Sequence, residues 1–238
     1  MRQPIAIKVC GMRDKENIES LSSLKPDYLG LIFYPGSKRY VGENYDAENI
    51  LNLPSQIKKV GVFVNSSQEE ILKKAGKYQL DFLQLHGDES AEFCKKLNQL
   101  GFKIIKAFSL SEEFDFEILK QYEPFVSYFL FDTKGENYGG NGVAFNWEIL
   151  KKYQEKTPFF LSGGIDLHHV EEIKNLNLKR LHAIDLNSRF EIQPAFKDIE
   201  KLNLFKKRLF GNEYEVQSTK SEVKKSEDMG LKTKYKGR

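Results

Sequence analysis

Groups able to move protons or hold anions stand at the ends of apolar, strand-like runs. Ile5 to Val9 delivers Cys10 and Gly11, Ser127 to Phe131 delivers Asp132, and Pro158 to Leu161 delivers Ser162-Gly163-Gly164. Parallel α/β proteins keep their chemistry at the carboxyl ends of their strands, so one shared mouth is expected. A thiol acts as a base when positive neighbours or backbone dipoles favour its thiolate. Lys8 stands close to Cys10, on the side of the strand opposite Val9. Taken alone, Cys10 also fits a small buried apolar filler. Cys94, mid-helix between Phe93 and Leu97, is read that way. A carboxylate closing so apolar a strand as Phe129-Leu130-Phe131 is partly desolvated, which favours its protonated form and a general-acid role for Asp132.

Other segments could bind rather than react. Asn137-Tyr138-Gly139-Gly140-Asn141-Gly142 carries glycines that could close over a ligand, so Gly140 and Gly142 are candidate substrate-binding positions. Gly163 and Gly164 let the backbone approach phosphate oxygens, and Asp185-Leu186-Asn187-Ser188 ends a later strand. In eight-stranded barrels the loops after strands 7 and 8 commonly form a phosphate site. Gly163, Gly164, Asn187 and Ser188 are therefore the candidate phosphate residues, with Asp185 as a substrate contact. Arg39, in Pro35-Gly36-Ser37-Lys38-Arg39-Tyr40, could grip a carboxylate with its planar fork, or belong to a solvated basic loop. His86 has no second His or Cys at metal-ligand spacing and is read as structural, and His168 and His169 as surface helix residues. No metal or cofactor is expected.

These positions need a scaffold. Strand candidates at 5–9, 27–33, 58–64, 81–85, 102–107, 127–132, 158–162 and 181–186 alternate with helix candidates near 14–24, 46–53, 67–78, 90–99, 112–121, 145–154, 167–175 and 195–209. Asp14, Ser67 and Ser90 are N-cap candidates, and Ser67 with Glu70 has a capping-box pattern. Strands apolar on both faces, such as Tyr28-Leu29-Gly30-Leu31-Ile32-Phe33, suit a parallel sheet covered by helices. Eight such units close a (β/α)₈ TIM barrel over residues 1–211. An open doubly wound sheet is the alternative, but Cys-Gly-Met-Arg-Asp in the first turn lacks the dinucleotide glycine pattern. The stretch 212–238, rich in Lys, Glu and Ser, reads as a disordered tail.

The 238 residues are 40% hydrophobic and 30% charged, with a net charge of +3. That small charge does not call for nucleic acid or an anionic membrane as partner. No run is long enough to span a membrane, and Met1-Arg2-Gln3-Pro4 has no apolar signal-like segment. A cytoplasmic setting with both cysteines reduced is expected.

Together these residues resemble the phosphoribosylanthranilate isomerase family of tryptophan biosynthesis. The likeness runs over roughly 5–210, through Ile7-Lys8-Val9-Cys10-Gly11-Met12, Pro35-Gly36-Ser37-Lys38-Arg39-Tyr40-Val41, Gly61-Val62-Phe63-Val64-Asn65, Leu83-Gln84-Leu85-His86-Gly87, Phe131-Asp132, Gly139-Gly140-Asn141-Gly142 and Leu161-Ser162-Gly163-Gly164-Ile165. It implies a cofactor-free barrel that rearranges a phosphorylated small-molecule substrate, as monomer or homodimer. By that resemblance Asp132 is the general acid, Cys10 the general base at C2, Arg39 the holder of the anthranilate carboxylate, and the Gly163, Gly164 and Ser188 backbone the phosphate cradle. The chain departs from the family at Asn141, where Thr is usual, at Asn146, where Asp is usual, and at Arg189, where Gly is usual.

Two other readings remain open at this point. A synthase- or epimerase-type phosphate barrel would want a catalytic lysine, for which Lys8 and Lys106 are available, or metal-binding histidines. A catalytically silent phosphate- or partner-binding barrel would draw on the changes at Asn141 and Arg189.

Overall fold

The computed structural model describes residues 5–132 and 147–211. The glycine segment with Gly140, Asn141 and Gly142, the position Asn146 and the stretch 212–238 lie outside the described residues.

Eight parallel strands close into a barrel: β1 (Ala6–Cys10), β2 (Tyr28–Ile32), β3 (Lys58–Phe63), β4 (Phe82–Leu85), β5 (Lys103–Ser109), β6 (Tyr128–Asp132), β7 (Phe159–Ser162) and β8 (Leu181–Leu186). Closure is made by β1 against β8, with Ala6 opposite Ala183 and Lys8 opposite Asp185. Every expected strand is present, and the open-sheet alternative is excluded by that last pairing. The helices are α1 (Lys15–Ser23), α2 (Glu48–Leu51), α3 (Gln68–Tyr78), α4 (Ala91–Gln99), α5 (Val170–Asn175) and α6 (Ile199–Phe210). The three expected caps are made: Asp14 accepts from the Asn17 N–H, Ser67 from Glu70 and Ser90 from Phe93. Each satisfies one backbone donor left over at a helix start.

Strand alternation explains the double apolar character. Outward residues such as Ile7, Val9, Leu29, Leu31, Phe129, Phe131 and Leu161 pack under the helices in the main core. Inward residues Tyr28, Val60, Phe82, Ile105, Leu130 and Phe160 fill the barrel. Lys8 and Cys10 fall on the inward phase of β1. Gly30 on β2 faces Cys10: a Cβ there would lie 2.7 Å from the Cys10 sulfur, so glycine makes room for the thiol.

Some helix expectations are corrected. The segment 46–53 holds only the short α2, and 112–121 and 145–154 contain 3₁₀ turns at Phe116–Gln121 and Trp147–Lys152. The last helix starts at Ile199 rather than 195, because Asp198 caps it by accepting from the Lys201 N–H. The residues before it form an unforeseen antiparallel ribbon, β9 (Glu191–Gln193) and β10 (Phe196–Lys197). His169 is not a plain surface residue: its Nδ1 accepts from the Asp166 N–H and closes the cap that begins the α5 segment.

Candidate active site

A cavity of about 670 Å³ opens at the carboxyl ends of the strands. Every predicted site residue within the described part of the chain lines it: Cys10, Arg39, Asp132, Gly163, Gly164, Asp185, Asn187 and Ser188. Arg189 lines it as well. Cys10 on β1 and Asp132 on β6 face the cavity from strands well apart in the ring, 4% and 6% exposed. A ligand between them can meet a base and an acid on different faces.

Below the cavity lies a buried ion pair. Lys8 Nζ donates to Asp185 Oδ2 at 2.7 Å, and the Lys8 side chain is wholly enclosed. Burial opposes the ammonium charge, but Asp185 and the neighbouring Cys10 hold Lys8 above the ordinary ammonium range. Burial in turn pushes the Cys10 thiol above its ordinary value, while the positive charges of Lys8 and Lys197 pull it back toward thiolate. Asp185 Oδ1 is buried without a hydrogen-bond partner among the described residues, which leaves an acceptor at the base of the cavity.

Asp132 has a neighbour that residue spacing did not single out. His86 Nε2 lies 3.5 Å from Asp132 Oδ2, and its Nδ1 is 2.8 Å from the Gln84 side-chain amide. Gln84 and His86 both line the cavity. His86 therefore belongs to the site rather than to a purely structural setting. The inward phase of β4, extended past its last residue through Phe82, Gln84 and His86, was the available signal.

At the far side, Gly163 and Gly164 have φ of +98° and +62°. Side chains strain that backbone, so glycine is what lets two successive peptides turn there. Asn187 and Ser188 border the same region from the loop after β8. Arg39 is not a solvated loop residue: its Nε and Nη2 donate to the Glu191 carboxylate at 2.6–3.0 Å.

Of the two lysines a synthase-type site could use, Lys106 is absent from the mouth and Lys8 is tied up by Asp185. Lys106 lies outside the inward set of β5, pairing with Glu89 at 3.1 Å and donating to the Gly87 carbonyl at 2.7 Å. It is a buried structural cation. Among the described residues no group of three or more His, Cys, Asp or Glu side chains is placed to hold a metal ion. No helix among them is long and apolar enough to cross a membrane.

A family model described as N-(5'-phosphoribosyl)anthranilate (PRA) isomerase matches residues 7–208. The chain belongs to the N-(5'-phosphoribosyl)anthranilate isomerase family. The N-(5'-phosphoribosyl)anthranilate isomerase of Parabacteroides distasonis is 49% identical over 201 residues, which cover 84% of this chain and 90% of the relative. The solved phosphoribosylanthranilate isomerase of Thermotoga maritima matches with a TM-score of 0.77 at 34% identity, over 87% of this chain and 99% of that one. A solved family member in complex with reduced 1-(o-carboxyphenylamino)-1-deoxyribulose 5-phosphate matches with a TM-score of 0.75 at 32% identity, over 87% of this chain and 99% of that one. The isomerase family thus accounts for the barrel and for the order of the motifs along it.

Proposed function

We propose that this chain catalyses the Amadori rearrangement of N-(5'-phosphoribosyl)anthranilate to 1-(2-carboxyphenylamino)-1-deoxyribulose 5-phosphate, a step of tryptophan biosynthesis, by general acid–base catalysis. Asp132 gives its proton to the furanose ring oxygen as the C1–O bond breaks. The anthranilate nitrogen lone pair forms the C1=N bond of a protonated Schiff base. The Cys10 thiolate takes the C2 proton, and that bond's electrons form C1=C2 while the nitrogen recovers its lone pair. The enolamine then tautomerises: the C2 hydroxyl gives its proton to Asp132 as the ketone forms, C1 takes the proton held by Cys10, and the cycle closes with Asp132 protonated and Cys10 a thiolate again. The net change is an isomerisation that consumes no oxidant or reductant.

The remaining residues hold the substrate. Backbone groups at Gly163, Gly164, Asn187 and Ser188 bind the phosphate, and Asp185 Oδ1 accepts from a sugar hydroxyl. Arg39 takes the anthranilate carboxylate. Gly140 and Gly142 contact the substrate from the glycine segment. Arg189 adds positive charge near the phosphate where the family usually has glycine. The partner is this phosphorylated small molecule, and the setting is cytoplasmic. The related phosphoribosylanthranilate isomerase of Thermotoga maritima is dimeric; for this chain, monomer and homodimer are the two assemblies to distinguish.

The observation that carries the reading is the placement of Cys10 and Asp132 on separate strands around one cavity, with the Gly163-Gly164 turn on its wall. The test is to generate the substrate in situ and follow loss of its fluorescence with wild-type protein. Accelerated decay with formation of the ketose product supports the assignment. Decay at the rate of buffer alone overturns it.

A further inference from the structure

The ribbon that sequence patterning did not foresee ends in two buried charges joined to Arg39. Glu191 accepts from Arg39 Nε at 2.8 Å and from Nη2 at 2.6 Å. Lys197 Nζ donates to Glu191 Oε1 at 2.5 Å and to Asn187 Oδ1 at 2.8 Å. The Glu191 and Lys197 side chains are 4% and 0% exposed, so this is a built cluster rather than a surface pair. Its backbone is also fixed: Asn17 on α1 accepts from the Lys197 N–H at 2.7 Å and donates to the Lys197 carbonyl at 2.9 Å.

The arrangement occupies one edge of the Arg39 guanidinium and spares the rest. Nη1 has no hydrogen-bond partner among the described residues, and Arg39 lines the cavity. A guanidinium held along its Nε–Nη2 edge keeps donors for a second carboxylate at its other edge. An unheld arginine would lose rotamer freedom on binding, a cost that pre-ordering removes. Glu191 alone would cancel the Arg39 charge. Lys197 offsets Glu191, so the trio of two cations and one anion keeps net positive charge toward an anionic ligand. The contact to Asn187 ties this end of the site to the loop after β8.

We propose that Glu191 and Lys197 are positioning residues that hold Arg39 to read the carboxylate of the aromatic amine, and so set selectivity for an ortho-carboxylated aryl amine. This rests on the functional reading above. Neither residue touches the reacting carbons.

The test is calorimetric titration with two ligands: reduced 1-(o-carboxyphenylamino)-1-deoxyribulose 5-phosphate, and the same compound lacking the carboxyl group. Wild type should prefer the carboxylated ligand. Glu191→Gln should cut that preference by about ten-fold, the scale of one charge-assisted hydrogen bond, and leave affinity for the other ligand unchanged. In an Arg39→Ala background, Glu191→Gln should have no further effect. Because Glu191→Gln leaves Lys197 buried without its counter-charge, the paired variant Glu191→Gln/Lys197→Met serves where the single one unfolds. Equal weakening of both ligands, or an effect that adds to Arg39→Ala, would overturn the positioning role while the isomerase reading stands. Failure of wild type to bind either ligand would overturn both.

Discussion

At the floor of the barrel Tyr28, Phe82, Tyr128 and Phe160 meet one another at ring-centroid separations of 5.0 to 5.8 Å. Farther along the same strands the inward positions change character. Tyr28 is followed by Gly30, Phe82 by Gln84 and His86, Phe160 by Ser162, and Tyr128 by Leu130 and then Asp132. His182 completes the floor, stacked on Tyr128 at 4.4 Å and 2.8 Å from the Tyr28 hydroxyl. Lys8, Asp185 and Cys10 complete the mouth. The floor spends its volume on aromatic packing, which needs no charge. The mouth accepts buried charge, which stabilises little by itself and is weak evidence of a structural purpose. The contrast therefore points to chemistry at one end only, as expected for this architecture.

Substitutions at the two ends should separate stability from catalysis. Phe160→Ala, at the floor, should destabilise the fold by about 3–5 kcal/mol through the cavity it leaves. Chemical denaturation measures that loss, and the folded fraction should keep the wild-type response of turnover to pH. Lys8→Met breaks the buried pair and leaves Asp185 without its counter-charge, at a cost on the order of 3–5 kcal/mol. Unlike the floor variant, it should also alter the chemistry. If both variants changed only stability, the division between the ends would fail.

The pH profile sharpens the same point. Burial raises the Cys10 thiol above its ordinary value, and in the proposed mechanism the thiolate is the form that takes the C2 proton. The profile of kcat/KM should rise with pH into and beyond the usual thiol range. Lys8→Met removes a positive charge that favours the thiolate, so this rising limb should move to higher pH. Stability has the opposite sign: the unfolded thiol ionises first, so the Cys10 contribution is full below its unfolded pKa and is lost as pH rises through the folded one. A limb unmoved in Lys8→Met would detach Lys8 from the base. The smallest expected change is in Arg39→Ala, which should raise KM about ten-fold with kcat nearly kept, because the role proposed for Arg39 is to hold substrate and not to move a proton. Steady-state kinetics at saturating substrate tests the split.

The scaffold was largely legible because each strand is apolar on both faces and ends in a distinct residue type. Cys10, Asp132 and the Gly163-Gly164 pair could be found from strand ends alone, and Arg39 from the family resemblance. His86 escaped because the inward phase of β4 continues one step beyond the strand. Glu191 and Lys197 escaped for a different reason. Strands of three and two residues carry no periodicity, and Phe196 reads as the opening of the next helix. Their significance depends on Arg39, some 150 residues earlier in the chain, and only the closed barrel brings that loop alongside.

The proposed chemistry needs Cys10 and Asp132 to act as base and acid across one cavity. The most direct measurement is turnover of phosphoribosylanthranilate by wild type, Cys10→Ser and Asp132→Asn side by side, with unfolding midpoints recorded for all three. Each variant should stay folded and lose at least about 10²-fold in kcat, the usual scale for losing a general base or acid. Near-normal turnover by either folded variant would remove that residue from the mechanism and contradict the account.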